Sequence, residues 1–101
     1  EDDPLTNDAL YINSLALAYY RSGDLNKALL EYERISSLTT GRLERGVLYT
    51  NSFYMLGLIY EQLADTVKSK ANYEKFLTIL KDADPGLPEV EDAKKRLAGL
   101  R

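Results

Sequence analysis

The stretch Ala18-Tyr-Tyr-Arg-Ser-Gly-Asp24 decides the fold of this chain, because a related stretch, Leu58-Ile-Tyr-Glu-Gln-Leu-Ala-Asp65, follows it. Tyr60 stands 41 residues after Tyr19 (60 − 19), and in each copy a tyrosine precedes an aspartate by five residues. Each copy contains the end of one predicted helix and the start of the next. The chain therefore repeats a structural unit made of two helices and a turn.

Around the first copy, apolar residues recur at the i, i+3, i+4 and i+7 spacing of an amphipathic helix. They are Ala9, Ile12, Leu15, Ala16 and Tyr19. This pattern predicts a first helix that begins between Pro4 and Asp8 and ends at Gly23, which is free to adopt a left-handed conformation. Asp24 is placed to cap a second helix that continues to about Leu38. A turn this short joins the two helices into an antiparallel hairpin.

The second copy predicts a second hairpin and one further helix. A third helix is expected to begin between Arg42 and Gly46 and to end near Leu63, and Asp65 is placed to cap the fourth. Two prolines in the segment 84–88 stop that helix, since proline cannot donate a backbone hydrogen bond. Pro88 then opens a fifth helix, whose acidic start and basic end complement the helix dipole.

Composition excludes most catalytic chemistry. The 101 residues include no Cys and no His, so the chain lacks a thiolate nucleophile, an imidazole base and the usual zinc ligands. The carboxylate clusters are explained by helix capping and solubility, and they do not follow a calcium-loop pattern. They are Glu31/Glu33, Asp82/Asp84 and Glu89/Glu91/Asp92. We therefore expect a non-catalytic protein without a cofactor or a metal.

Charge and hydropathy narrow the choice of partners. The formal net charge is −3, from 13 basic and 16 acidic residues, which disfavours a nucleic-acid surface. No apolar run has the length of a membrane span, and no secretion signal opens the chain. The absence of Cys is consistent with a cytoplasmic location. Because the chain starts at Glu1 and not at Met, we expect it to be a piece of a longer protein.

These residues resemble the tetratricopeptide repeat family, whose unit is a helix hairpin of about 34 residues. The signature positions of the first repeat would be Ile12, Leu15, Ala16, Tyr19, Gly23, Ala28, Tyr32 and Ile35. Those of the second would be Phe53, Leu56, Gly57, Tyr60, Ala64, Ser69, Tyr73 and Phe76. The tail is similar to the C-terminal end of bacterial arrays of this family that are attached to larger proteins.

The resemblance implies an all-α fold, a right-handed α–α superhelix (solenoid) of two hairpins and a C-terminal capping helix. Residues 1–101 would form one domain, with repeat one at about 8–40, repeat two at about 43–82 and the capping helix at about 88–100. The chain departs from the family at Ala64, where glycine is usual. Because a left-handed conformation is costly for alanine, we expect the second turn to differ from the first.

In this family the first helix of each hairpin lines a concave groove that binds a partner. The matching positions here are Leu10, Asn13, Leu17, Tyr20, Arg21, Asn51, Tyr54, Leu58, Glu61 and Gln62. Tyr20 and Tyr54 are the favoured anchors, since large side chains with few rotatable bonds suit binding sites. The alternative is that the fifth helix packs over part of this surface and buries Leu58 or Tyr54.

The predicted function is a protein-interaction module that binds a peptide or helix of a partner protein. The groove positions are apolar and aromatic, so we expect an apolar or aromatic-rich ligand. Relatives that clamp acidic peptide ends carry an asparagine where this chain has Leu17, which argues against that ligand. The alternative function is a structural module that packs on its own chain or forms a homodimer, through apolar surface on helix one that includes Leu5, Ala9, Tyr11 and Ile12.

Overall fold

The described part of the chain folds into α-helices. A computed structural model describes residues 4–37, 43–81 and 87–100, and the side chains of 11–37, 48–81 and 87–100. The helices are α1 (Pro4–Ser22), α2 (Leu25–Ser36), α3 (Leu43–Gln62), α4 (Thr66–Ile79) and α5 (Pro88–Gly99). No strand occurs in these described ranges. The predicted all-α helical-repeat fold is confirmed, and α2 ends at Ser36 where the prediction extended to about Leu38.

The chain divides into two compact units, Glu1–Ser52 and Phe53–Arg101, and the boundary lies within α3. Each unit has a buried core of its own, and each contains one copy of the repeated turn. The right-handed superhelix and the single domain with the repeat limits given above stay predictions.

In the first unit, α1 and α2 pack as a hairpin whose contact is made by small residues. Ala16 of α1 and Ala28 of α2 are both completely buried. Tyr32 and Ile35 follow on the same face of α2 and are also buried. The small alanines let the two helices approach, and the larger side chains fill the space beside them, as the repeat pattern predicted.

In the second unit, the contact between α3 and α4 is closer still. A Cβ atom placed on Gly57 would lie 2.5 Å from the ring of Tyr73, so only glycine fits at this position. Ser69 is fully buried, and its hydroxyl donates a 2.9 Å hydrogen bond to the carbonyl oxygen of Gly57. Helix α5 buries Val90, Ala93 and Leu97, and it packs against α4.

The two turns are alike, so the expectation that Ala64 would change the second turn is wrong. Gly23 has φ +89° and Ala64 has φ +65°, both left-handed. In the first turn the amides of Gly23 and Asp24 donate to the carbonyls of Tyr20 and Tyr19 over 3.1 and 2.9 Å. The second turn repeats both bonds with the same lengths. Ala64 adopts the strained conformation because two hydrogen bonds at the helix end depend on it.

The helix that follows each turn starts in the same way. Asp24 accepts a hydrogen bond from the backbone amide of Lys27 over 3.3 Å, and Asp65 accepts one from Lys68 over 3.2 Å. Each aspartate thus caps its helix, as predicted. The two copies of the repeat therefore share individual hydrogen bonds as well as a sequence pattern.

Candidate functional site

Helix α1 carries five of the predicted groove residues, Leu10, Asn13, Leu17, Tyr20 and Arg21. Asn13, Leu17 and Tyr20 are half-buried, and Arg21 is exposed. Their spacing of four, three and one residues keeps all four on one side of a helix. The side chain of Leu10 lies outside the described residues. We call the set Asn13, Leu17, Tyr20 and Arg21 the groove face of α1.

Tyr20 and Arg21 lie close enough to the buried Tyr32 of α2 to influence its ionisation. The pKa of Tyr32 is raised to about 12, mainly by burial and also by the nearby Tyr20, while the positive charge of Arg21 opposes the rise. These two groove-face residues therefore lie near the core of the first hairpin.

The predicted groove positions on α3 have a different environment. Leu58 is only 9% exposed and belongs to the core of the second unit. Asn51 is half-buried and Gln62 is exposed. Tyr54 and Glu61 are half-buried, and both are held by other side chains of their own unit.

Those contacts form a polar cluster between α3, α4 and α5, made by Tyr54, Glu61, Tyr73, Asp92 and Arg96. The Tyr54 hydroxyl donates to Asp92 Oδ2 over 2.5 Å, and the Tyr73 hydroxyl donates to Glu61 Oε1 over 2.7 Å. Arg96 connects the two carboxylates, with Nε 2.7 Å from Asp92 Oδ2 and Nη1 3.3 Å from Glu61 Oε1. We call this set the tyrosine–carboxylate cluster.

Aromatic rings pack against one another next to the tyrosine–carboxylate cluster. The ring of Tyr54 lies 5.3 Å from that of Phe76 and 6.3 Å from that of Tyr73, between centroids, in tilted arrangements. Such geometries are favourable for aromatic pairs. Tyr54 therefore contacts α4 through its ring and α5 through its hydroxyl group.

The ionisation of the cluster follows from these contacts. Burial first, and then the hydrogen bond to a carboxylate, raise the pKa of both Tyr54 and Tyr73 above the ordinary value of 10.0. The Tyr54 hydrogen bond and the neighbouring Arg96 lower the pKa of Asp92. The hydrogen bond to Asp92 raises the pKa of Arg96. At neutral pH the tyrosines are neutral donors and the carboxylate is an ionised acceptor.

Helix α5 thus contacts Tyr54 and Glu61 through Asp92 and Arg96, while Tyr54 stays half-buried. The role of these positions in a binding groove stays a prediction. Asp92 and Arg96 were not singled out as contact residues. The available signal was their i, i+4 spacing, which pairs an acid and a base on one side of a helix. This spacing does not predict that Asp92 and Arg96 contact Tyr54 and Glu61, because the contact depends on how α5 packs against the preceding helices.

The described residues include no group of three or more His, Cys, Asp or Glu side chains able to hold a metal ion. Among the described helices, none combines the length and the apolar character that crossing a bilayer requires. Among the described residues, the candidate functional sites are the groove face of α1 and the tyrosine–carboxylate cluster.

In a comparison with protein families, residues 50–79 match the tetratricopeptide repeat. The matched segment contains the last part of α3, the turn with Ala64 and all of α4. No curated protein and no solved structure matches the chain significantly. Residues 50–79, most of which lie in the second unit, are therefore similar to a tetratricopeptide repeat, as the residue pattern indicated, and such a repeat is typical of protein-interaction modules in general.

Proposed function

We propose that this tetratricopeptide-repeat chain is a non-catalytic interaction module that binds a peptide or helix of a partner protein on the groove face of α1. The observation that carries the proposal is the partial exposure of Asn13, Leu17 and Tyr20 beside the exposed Arg21. These four residues combine an apolar side chain, an aromatic anchor, an amide and a positive charge. Such a mixture is typical of binding sites that fix a ligand by a few polar contacts.

The corresponding positions on α3 are less suited to an external ligand. Tyr54 and Glu61 hold α5 through Asp92 and Arg96, and Leu58 lies in the core. A ligand that bound Tyr54 would have to break a charge-assisted hydrogen bond first, which costs more than breaking a neutral one. We therefore assign ligand binding to the first unit and the attachment of α5 to the second.

The chemistry of the groove face suggests the kind of ligand. Leu17 and the ring of Tyr20 favour an apolar or aromatic side chain, because both bury carbon surface on contact. The guanidinium of Arg21 favours a carboxylate at the edge of the same ligand. A short peptide with an aromatic or aliphatic anchor followed by an acidic residue meets both requirements. That the chain comes from a longer bacterial protein stays a prediction.

The proposal is tested by selecting peptides from a displayed library on the immobilised chain and measuring their affinities by calorimetry. Tyr20→Ala should weaken binding by about 30-fold, the change expected for an anchor residue worth about 2 kcal/mol. Leu17→Ala should weaken it as well, by a smaller factor.

Tyr11→Ala is the matched control, because Tyr11 is a tyrosine of the same helix and lies nine residues before Tyr20, half a turn away in angle. Its affinity for the peptide should equal that of the unchanged chain. Equal affinities of the Tyr20→Ala and Tyr11→Ala variants would reject the groove face of α1 as the binding site.

A further inference from the structure

Helix α5 is a short, strongly charged helix that packs on the second unit through a narrow apolar stripe. The stripe consists of Val90, Ala93 and Leu97, which are buried. The other sides of the helix carry exposed charged residues, namely Glu89, Glu91, Lys94 and Lys95. A helix with so polar a surface stays soluble when it leaves its packing site, since only one narrow stripe then becomes exposed to water.

The contact between α5 and α3 is polar and partly open to solvent. The Tyr54 hydroxyl donates to Asp92, and Arg96 Nη1 donates to Glu61 over 3.3 Å. The side chains of Arg96, Asp92 and Glu61 keep 40%, 35% and 30% of their surface exposed. A small apolar centre with a wet polar rim is typical of transient interfaces. Water can replace these polar contacts when α5 detaches, so detachment leaves no buried charge without a partner.

The polar side chains that hold α5 are a property of the second copy of the repeat and not of the repeat itself. The residues 41 positions before Tyr54 and Glu61 are Asn13 and Tyr20. The first hairpin packs with an amide and a phenol at these positions, whereas α3 has a phenol and a carboxylate there. Hairpin packing therefore does not require the pair Tyr54 and Glu61, and their described partners on α5 indicate that they recognise a helix.

We propose that Tyr54, Glu61 and Tyr73 form a second binding surface, on which a helix of a partner protein replaces α5. We call these three residues the α5-docking surface. The partner helix has an acidic residue and, four positions later, a basic residue, as α5 has in Asp92 and Arg96, beside a short apolar stripe. The order of the charges matters, because the acid accepts from the Tyr54 hydroxyl and the base pairs with Glu61.

Such a partner remakes the hydrogen bonds that α5 gives up. The exchange then costs mainly the advantage that α5 has from belonging to the same chain, which is an effective concentration. Helix α5 lowers the apparent affinity for the partner by the fraction of chains in which the docking surface is open. The α5-docking surface lies in the second unit and the groove face of α1 in the first, so this proposal does not depend on the function proposed above.

The test measures how a fluorescent synthetic peptide with the sequence of residues 87–100 binds to the full chain, by fluorescence anisotropy. Substitutions in the α5 of the chain weaken this competitor and leave the docking surface unchanged. Leu97→Ala removes a buried side chain of α5 and should tighten peptide binding by about 30-fold. Arg96→Ala removes the ion pairs, keeps the apolar stripe and should tighten binding by about fivefold.

Two matched controls make the result specific to the polar contacts. Lys94→Ala removes the same charge as Arg96→Ala from an exposed position of α5 and should leave the affinity unchanged. A peptide in which the residues corresponding to Asp92 and Arg96 are exchanged has the same composition, and it should bind the Leu97→Ala chain about tenfold more weakly. Adding Tyr54→Phe to the Leu97→Ala chain should weaken binding of the original peptide by a similar factor.

Circular dichroism shows whether each variant stays folded, and Arg96→Ala, at a partly exposed position, serves if Leu97→Ala does not. Tyr20→Ala should leave peptide binding unchanged, so the two proposals fail independently. Equal affinities of the unchanged, Leu97→Ala and Arg96→Ala chains would overturn the proposal. So would equal binding of the peptide with exchanged charges, or no binding to any of these chains at millimolar concentration.

Discussion

Gly57 lies at a helix contact that leaves no room for a side chain. An added Cβ would lie 2.5 Å from two carbon atoms of the Tyr73 ring, and that ring is fully buried and held by the hydrogen bond to Glu61. The sequence predicted a small residue here from the repeat pattern. It did not show that alanine would be too large, because this depends on the position of the Tyr73 ring.

We expect Gly57→Ala to lower the free energy of unfolding by about 1–2 kcal/mol. Overpacking costs about 1–3 kcal/mol, and the better helix propensity of alanine returns up to about 1 kcal/mol. Urea denaturation measures the change. Gly99→Ala is the control, because nothing lies within 4 Å of its added Cβ, and it should be neutral or slightly stabilising. Equal effects of the two changes would contradict the close contact.

The paired turns allow a second comparison between single residues. Gly23 and Ala64 have the same left-handed role, and only Ala64 bears the steric cost of a side chain. Nothing lies within 4 Å of a Cβ placed on Gly23, so a change there alters conformational preference and no packing contact.

Ala64→Gly should therefore raise the free energy of unfolding by about 0.5–1 kcal/mol, and Gly23→Ala should lower it by about 1 kcal/mol. Thermal or urea denaturation of the two variants provides the values. Shifts of the same sign in both variants would show that the two turns are not equivalent.

Helix α5 is held to its unit by a few apolar side chains and by specific polar contacts. It buries three modest side chains, Val90, Ala93 and Leu97, and it is joined to α3 through the tyrosine–carboxylate cluster. The amphipathic pattern predicted that α5 exists and which side it buries. Its partners on α3 could not be predicted, since Tyr54 and Asp92 lie 38 residues apart and no local pattern relates them.

Tyr54→Phe should loosen α5 while leaving the ring contact with Phe76 in place. The change removes a hydrogen bond to an ionised carboxylate, for which we expect a loss of about 1–2 kcal/mol in the free energy of unfolding. Hydrogen exchange should show faster exchange of the α5 amides. Tyr11→Phe, at an exposed position, is the control and should change neither quantity. Unaltered exchange in α5 of the Tyr54→Phe variant would mean that this bond does not hold the helix.

The buried tyrosines make the fold sensitive to alkaline pH. Tyr32 has a pKa raised to about 12, and those of Tyr54 and Tyr73 are raised as well. In the unfolded chain tyrosine ionises near its ordinary pKa of about 10. The unfolded state then loses protons first, so the free energy of unfolding is unaffected below about pH 9 and falls as the pH rises through about 10 to 12.

Urea denaturation at several pH values measures this dependence. Tyr32→Phe has no ionisable group at that position and should show a shallower decline with pH than the unchanged chain. A decline of equal slope in both proteins would indicate that Tyr32 is not protected from ionisation in the folded state.

For the chain as a whole, the proposed binding role lies on α1. Tyr20 belongs to the groove face assigned to a partner, and Tyr11 lies exposed on the opposite side of the same helix. The repeat pattern predicted the hairpins, the caps and most of the buried residues. It could not separate groove positions that stay accessible, such as Leu17, from those that are buried or occupied, such as Leu58 and Tyr54, because α5 and the core decide this.

The most direct test of the proposed function is nuclear magnetic resonance of the isotopically labelled chain titrated with a selected peptide. We expect the largest shifts in amide resonances at the groove face, at Asn13, Leu17, Tyr20 and Arg21, and we expect Tyr20→Ala to reduce them strongly at the same peptide concentration. Shifts concentrated on α4 and α5, with the groove face of α1 unchanged, would contradict it.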